Sequence, residues 1–508
     1  MVRAADARAY PADRRARMAA ILKAQAARIG FGEVARGPLA TFEDPRSVVV
    51  VAGQQPGLFG GPLYTLYKAM TAIRLARAIE QATSRPAVPI FWVASDDHDF
   101  EEVRRTWVSD GFELEPTLVE YPQNGIPPSA SFSRIRLGPD VGALVQRVEA
   151  LLPESPFRDG LLVPLRDAYS PGRGWAESFA RFMATFVAPL GALVFDPADP
   201  EAKALALPVF EREIDLQGAT ARAARSRGEE LVARGYHAQI AREGNELNLF
   251  WHGEDGRQPI RVEEGGTLRL TGTGSTWTAD RLKEAVRERP EEASPGVLLR
   301  PIVQDHLLPT AAYVGGPAEV AYWAQVFPVY DAFGMSPPAI APRSGATLLE
   351  PRIERTLLKF GIGWERLAGD PEVVIRDTMK ALLPEDFREL FAREQGAWRE
   401  SFRRVEEKVA SFDPSLRPAV TNAETRLVRE IETLEKKLLS VWKRREEESV
   451  TKIRRARESL FPHGGLQERV CSPLGFAARH GPWLITRFEE DLGDPGSHTL
   501  VPLGGEGS

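Results

Sequence analysis

The sequence predicts an α/β core with an inserted β-rich subdomain and an α-helical antiparallel coiled-coil arm near its C-terminus, and three observations carry that prediction. Short apolar runs at 47–52, 87–94, 192–195 and 297–299 alternate with amphipathic stretches, the rhythm of strands and helices in turn. Between 234 and 290 strand-like pieces alternate with Gly-rich turns, which reads as an insertion. From about 384 the apolar residues fall into heptads: Trp398, Phe402, Val405, Val409 and Phe412, then Leu427, Ile431, Leu434, Leu438 and Val441 beyond Pro414 and Pro418. The expected organisation is 1–233 and 291–383 as two parts of one core, 234–290 as the insert, 384–461 as the arm, and 462–508 returning to the core.

The first strand, 48–52, is continuously apolar, as a parallel strand covered on both faces would be. It runs into Gly53-Gln54-Gln55-Pro56-Gly57-Leu58-Phe59-Gly60-Gly61, after which Pro62 suits a first helical turn and Leu63, Leu66, Tyr67, Met70 and Ile73 continue the helix. At such a junction backbone N–H groups and the helix dipole favour an anion, and glycines allow close approach of a ligand. The spacing is neither a P-loop nor G-x-G-x-x-G, and glycines that only solve a backbone problem would read the same way. The next run, 87–94, completes a βαβ unit, so both strands end at one sheet edge. There stands Ser95-Asp96-Asp97-His98-Asp99. His98 among carboxylates suits a general base, a reader of a substrate ammonium, or a metal ligand; a solvated acidic turn with Asp97 or Asp99 as helix N-cap is the structural alternative.

A third cluster spans 299–350. Gln304, Asp305 and His306 lie among apolar residues, "VGGPAEV" opens a helix with Glu319 in its first turns, and "APRSGATLLE" offers Arg343 and Ser344 in a loop. Arginine matches phosphate or carboxylate in a fork geometry. A core histidine and a surface salt bridge are the structural readings of His306 and Arg343. In the arm, the second stripe loses phase after Val441; a helix of about 38 residues that turns Val450 and Ile453 toward a second subunit would follow from it.

Whole-chain quantities narrow the function classes. With 65 basic and 71 acidic residues interspersed and a net charge of -6, no field attracts polyanions, so nucleic acid is not an expected partner. Cys471 is the single cysteine, which excludes an internal disulfide and suits a reducing, cytoplasmic setting. No apolar run reaches the length of a membrane span, so no membrane partner is expected either.

"VAGQQPGLFGGPLYTLYKA", "PIFWVASDDHDFEEV", "LRPIVQDHLLPTAAYVGGPAEVAYWAQ", "PRSGATLLE" and "LFPHGGLQERV" together resemble the bacillithiol biosynthesis cysteine-adding enzymes, the BshC family, in order along nearly the whole chain. The resemblance implies a Rossmann-like core with connecting insertions, a coiled coil used for homodimerisation, and joining of L-cysteine to glucosaminyl-malate as a last biosynthetic step. It also implies a distant likeness to class I aminoacyl-tRNA synthetases. Asp96 stands where the family pattern leads one to expect glutamate, and the loop around Arg343 lacks the lysines of the synthetase signature. A carboxylate needs a leaving group before an amine attacks it, so ATP or another adenine nucleotide is the expected co-substrate, and no metal is indicated. The expected site is His98, Asp97, Asp99 and Arg343 as catalytic groups; Gly53, Gln54, Gln55, Gly57, Gly60, Gly61 and Ser344 toward the nucleotide; and Asp96, Gln304, Asp305, Tyr313 and Glu319 toward substrate. Two other classes stay open: a metal-dependent hydrolase using the Asp-Asp-His-Asp loop, and a non-catalytic nucleotide-binding assembly protein.

Overall fold

The computed structural model describes residues 2–6, 10–111, 115–253 and 256–504. They form two compact units, one of residues up to 347 with 468–501, the other of 348–467 with the residues from 502. The first unit is built on β1 (Val48–Gln54), β2 (Ala87–Val93), β3 (Leu193–Phe195), β4 (Thr310–Gly315) and β5 (Ala339–Pro342). Their spatial order is β5-β4-β1-β2-β3, and every neighbouring pair is parallel. Residues 48–52 are wholly buried, which is why β1 reads as a continuous apolar run. The helix Tyr64–Thr83 packs on β1 and β2, and its Leu66, Met70 and Ile73 are buried.

From β1 the chain proceeds through β2 to β3 on one side, and β4 then pairs with the other side of β1. The carboxyl ends of β1 and β4 therefore flank a topological switch point, where open α/β sheets leave a crevice. The run 297–299, expected as a strand, is instead a turn between Gly296 and the helix Arg300–Leu307. Three apolar residues are too few to fix a period, and Pro301 in the first helical turn closes the strand option.

A second sheet follows β3. Its strands Glu246–Gly253, Gly256–Val262, Leu268–Leu270 and Thr276–Trp277 are antiparallel, and Ala293–Pro295 returns to pair with the first of them, Ser294 opposite Phe250.

In the second unit the helices Glu385–Phe412 and Arg417–Arg445 pack on each other across the turn Pro414–Leu416. The helix then breaks at Glu446 (φ −100°, ψ 32°) and a separate helix, Glu447–Leu460, begins. The phase shift after Val441 is thus a helix break. Val450 and Ile453 are buried against the helices Pro351–Phe360 and Pro371–Ala381 and the turn Trp364–Ala368, so they do not face a second subunit as the continuous 38-residue helix required.

Candidate active site

A cavity of about 540 Å³ opens at the switch point. Gly53 and Gln54 at the end of β1, Trp92 of β2 and Tyr313 of β4 form its floor, and Arg343 follows β5. Arg242, Phe250, Arg257 and Pro295 close it from the second sheet.

On the strand side the charges are paired. Lys68 is 4% exposed; it donates to the Gly53 carbonyl at 3.0 Å and Gln54 Oε1 at 2.8 Å, and forms an ion pair with Glu319. Glu319 also accepts from Tyr313 OH at 2.6 Å and from the Gly316 N–H at 2.7 Å, capping the helix Pro317–Phe333. Arg343 donates to Glu468 Oε2 at 2.9 Å and lies 5.4 Å over the Tyr64 ring. This salt bridge is buried, not on the surface.

The acidic loop divides into groups with different work. Asp96 receives Lys203 Nζ on both oxygens at 2.7 Å. Asp97 lines the cavity and accepts from Gln55 Nε2 at 2.8 Å and from the His98 N–H at 2.8 Å. Burial works to raise its carboxyl, but the hydrogen bonds from His98 and Gln55, with the nearby Arg257 charge, outweigh that and hold its pKa down at about 2. His98, half-exposed, faces Arg257 Nη1 with its Nδ1 at 3.2 Å. The same Nδ1 lies 3.5 Å from Asp97 Oδ1, so the imidazole sits between a guanidinium and a carboxylate. Asp99 is exposed at the start of the short helix Phe100–Val103 and makes no capping bond. Among the described residues no three His, Cys, Asp or Glu side chains converge as a metal ligand set.

The Gly-rich loop turns most of its glycines away from the cavity. Leu58 and Phe59 are wholly buried, Phe59 at φ 52° against Tyr169 with ring centroids 4.7 Å apart. Gly60 (φ 92°) lies where a Cβ would meet Phe182 at 3.3 Å, and at Gly57 a Cβ would meet Gly61 Cα at 2.8 Å. Trp175 Nε1 holds the loop from outside, donating to the Pro56 carbonyl at 2.6 Å. Gly53, Gln54 and Gln55 line the cavity, whereas Gly57, Gly60 and Gly61 do not and are packed into the turn.

Five other expected groups do not line the cavity: His98, Asp99, Gln304, Asp305 and Ser344. Gln304 is wholly buried, accepting from Arg300 Nη1 at 3.2 Å and donating to Asp305, which accepts from Tyr330 OH at 2.9 Å. Ser344 donates to the Gly493 carbonyl at 2.8 Å. These bonds tie Gln304, Asp305 and Ser344 into the packing behind the cavity lining. His306 bonds the Leu205 carbonyl oxygen at 3.1 Å, and burial with the Arg14 charge pulls its pKa to about 4, so it is a core histidine.

Sequence reasoning missed Lys68, Arg242, Arg257, Arg300 and Tyr322, all of which line the cavity. Lys68 had a signal, a lone cation four residues after Tyr64 within an apolar helix; Arg242 and Arg257 had none short of knowing how the second sheet sits.

A doubly wound parallel sheet, a polar crevice at its switch point and a helical coiled-coil unit define the class as a Rossmann-like protein with a C-terminal coiled-coil domain. Family models agree: "Bacillithiol biosynthesis BshC, N-terminal Rossmann-like domain" matches residues 2–344 and "Bacillithiol biosynthesis BshC, C-terminal coiled-coil domain" matches 346–501. The chain belongs to the bacillithiol biosynthesis BshC family. A relative from Salinibacter ruber is 35% identical over 97% of this chain and 89% of its own length. One from Chlorobaculum tepidum is 32% identical over 94% and 87%, and one from Koribacter versatilis 31% over 97% and 90%. Each of the three bears the name "Putative cysteine ligase BshC". No described helix is long and apolar enough to cross a membrane.

Proposed function

We propose that the cavity joins the carboxyl group of L-cysteine to the amine of glucosaminyl-malate, with ATP supplying the leaving group on the cysteine carboxylate, as the last step of bacillithiol synthesis in the cytoplasm. The observation that carries this reading is the charge layout of one crevice: an ionised Asp97 on one side suits an ammonium, and guanidiniums on the other suit carboxylates. Both substrates bear an amine and carboxylate, and holding them in one site converts their encounter into an intramolecular step. His98, whose imidazole lies against Arg257 and Asp97 of the cavity wall, is assigned to take the proton of the attacking amine. Metal-assisted hydrolysis lacks support, because Asp96 is taken up by Lys203 and Asp97 by Gln55 and His98.

Mass spectrometry of purified protein with cysteine, glucosaminyl-malate and ATP tests the reading. The thiol product, with either AMP or ADP, is expected; ATP-dependent disappearance of neither substrate rejects it.

The arm supports a homodimer as part of this proposal. Trp398, Val405, Phe412 and Leu434 are 45%, 45%, 90% and 59% exposed, an apolar set that a second copy of the same arm would cover. Light scattering should give a dimer for the wild type and a folded monomer for Phe412→Glu combined with Leu434→Glu. A monomeric wild type at micromolar concentration ends the dimer proposal.

A further inference from the structure

Among the described residues, three cations of the cavity wall make no hydrogen bond to a carboxylate, although Asp97 lies near Arg257 and Glu319 near Arg300. Arg242, on the stretch leading into the strand Glu246–Gly253, is partly buried with its Nε unpartnered, and burial lowers its pKa against a single opposing charge, Glu246. Arg257 is 8% exposed, and its guanidinium carbon sits 3.8 Å from the Phe250 ring centroid. It donates to Ser294 Oγ at 2.9 Å and the Pro295 carbonyl at 2.8 Å and lies 3.2 Å from His98 Nδ1, none of them a carboxylate. Arg300 donates to Gln304 Oε1 at 3.2 Å, Tyr322 OH at 3.0 Å and Tyr313 OH at 3.4 Å, again neutral. All three line the same cavity, beside the apolar Phe250, Pro295 and Val297. These three guanidiniums have no direct carboxylate bond among the described residues, and an anionic ligand bonded to them would offset the cost of burying that charge.

We propose that Arg242, Arg257 and Arg300 form a subsite for a dicarboxylate, with Arg242 as the residue that decides specificity. This rests on the ligase reading for the ligand's source, the malate end of the acceptor. Planar guanidinium forks match planar carboxylates two bonds at a time, and the apolar strip beside them suits the short carbon chain between two carboxylates. Arg257 and Arg300 are held in place by their neutral acceptors. Arg242 is not, and its bonds form only with the ligand.

Titration calorimetry on the full-length protein tests the subsite, with malate as one probe and inorganic phosphate as the other. Arg242→Ala should weaken malate binding about ten- to a hundredfold, the range for charged hydrogen bonds, with Arg242→Lys between it and wild type. Phosphate binding should stay as it was, and the urea midpoint should move little, because no described residue hydrogen-bonds the Arg242 side chain. Unchanged malate affinity, or an equal loss for phosphate, overturns the proposal. Kinetics separates it from the ligase reading. If Arg242→Ala forms product with an unaltered KM for glucosaminyl-malate, the subsite falls and the ligase stands. If malate binding is lost as expected while the wild type makes no product, the subsite stands and the ligase falls.

Discussion

The two walls of the cavity treat charge in opposite ways. On the strand side each buried cation has its anion: Lys68 with Glu319, Arg343 with Glu468, and Lys203 with Asp96 behind the floor. On the other side, Arg242 and Arg257 by the second sheet and Arg300 at the start of the helix Arg300–Leu307 make no hydrogen bond to a carboxylate among the described residues, and Glu213 beneath the second sheet is a wholly buried carboxylate that, among those residues, bonds Thr220 and Asn248. Paired charges fix geometry and gain little from a ligand, whereas unpaired ones store a penalty that a ligand of opposite sign removes. The difference teaches that the parallel sheet supplies the frame and the second sheet supplies recognition.

Lys68→Met attacks the paired wall and carries the largest expected effect on stability. It deletes the cation while Glu319 keeps only Tyr313 and Gly316 as donors, and it also frees the Gly53 carbonyl and Gln54 Oε1. Breaking one partner of a buried pair costs about 3–5 kcal/mol, and the partial exposure of Glu319 puts the expectation near the lower end. Urea unfolding measures it. Adding Glu319→Gln to the same chain should recover part of the loss. A Lys68→Met protein as stable as wild type would erase the distinction between the walls.

The frame was far more legible in sequence than the recognition. β1, β2 and β3 announce themselves as apolar runs because they are buried, and the βαβ unit puts the 95–99 loop at the same sheet edge as the Gly-rich loop, where Asp97 accepts from Gln55. β4 and β5 were not marked as strands, since "TAAYVG" and "AIAP" are rich in alanine and run directly into Gly or Pro turns. The glycines of the first loop misled for a physical reason: positive φ is required equally by a ligand cradle and by a buried plug. Leu58 and Phe59 between them carried the answer, because large apolar side chains in a loop seek the core. The arm's phase shift was read correctly as a change of face but not as the helix break at Glu446, which heptad spacing alone does not distinguish. Arg242 and Arg257 look like any surface arginines of a polar segment; their function depends on the second sheet returning over the crevice.

The unpaired side gives the last and smaller prediction, through Glu213. Burial pushes its pKa up from 4.5 to about 7, with the bonds from Asn248 and Thr220 offsetting only part of that. The folded state therefore holds a proton between about pH 4.5 and 7 that the unfolded state releases. Stability from this group is full below 4.5 and falls as pH rises through 7. Glu213→Gln keeps the shape without the charge, so it should be more stable than wild type at pH 8, by up to about 3 kcal/mol on a shift of this size. At pH 5 the two should differ by less than about 1 kcal/mol. Urea midpoints at the two pH values supply the comparison. If a cation paired with Glu213 in solution, as on the strand wall, the variant would lose stability at pH 8 instead of gaining it, and the contrast between the two walls would fail at its buried carboxylate.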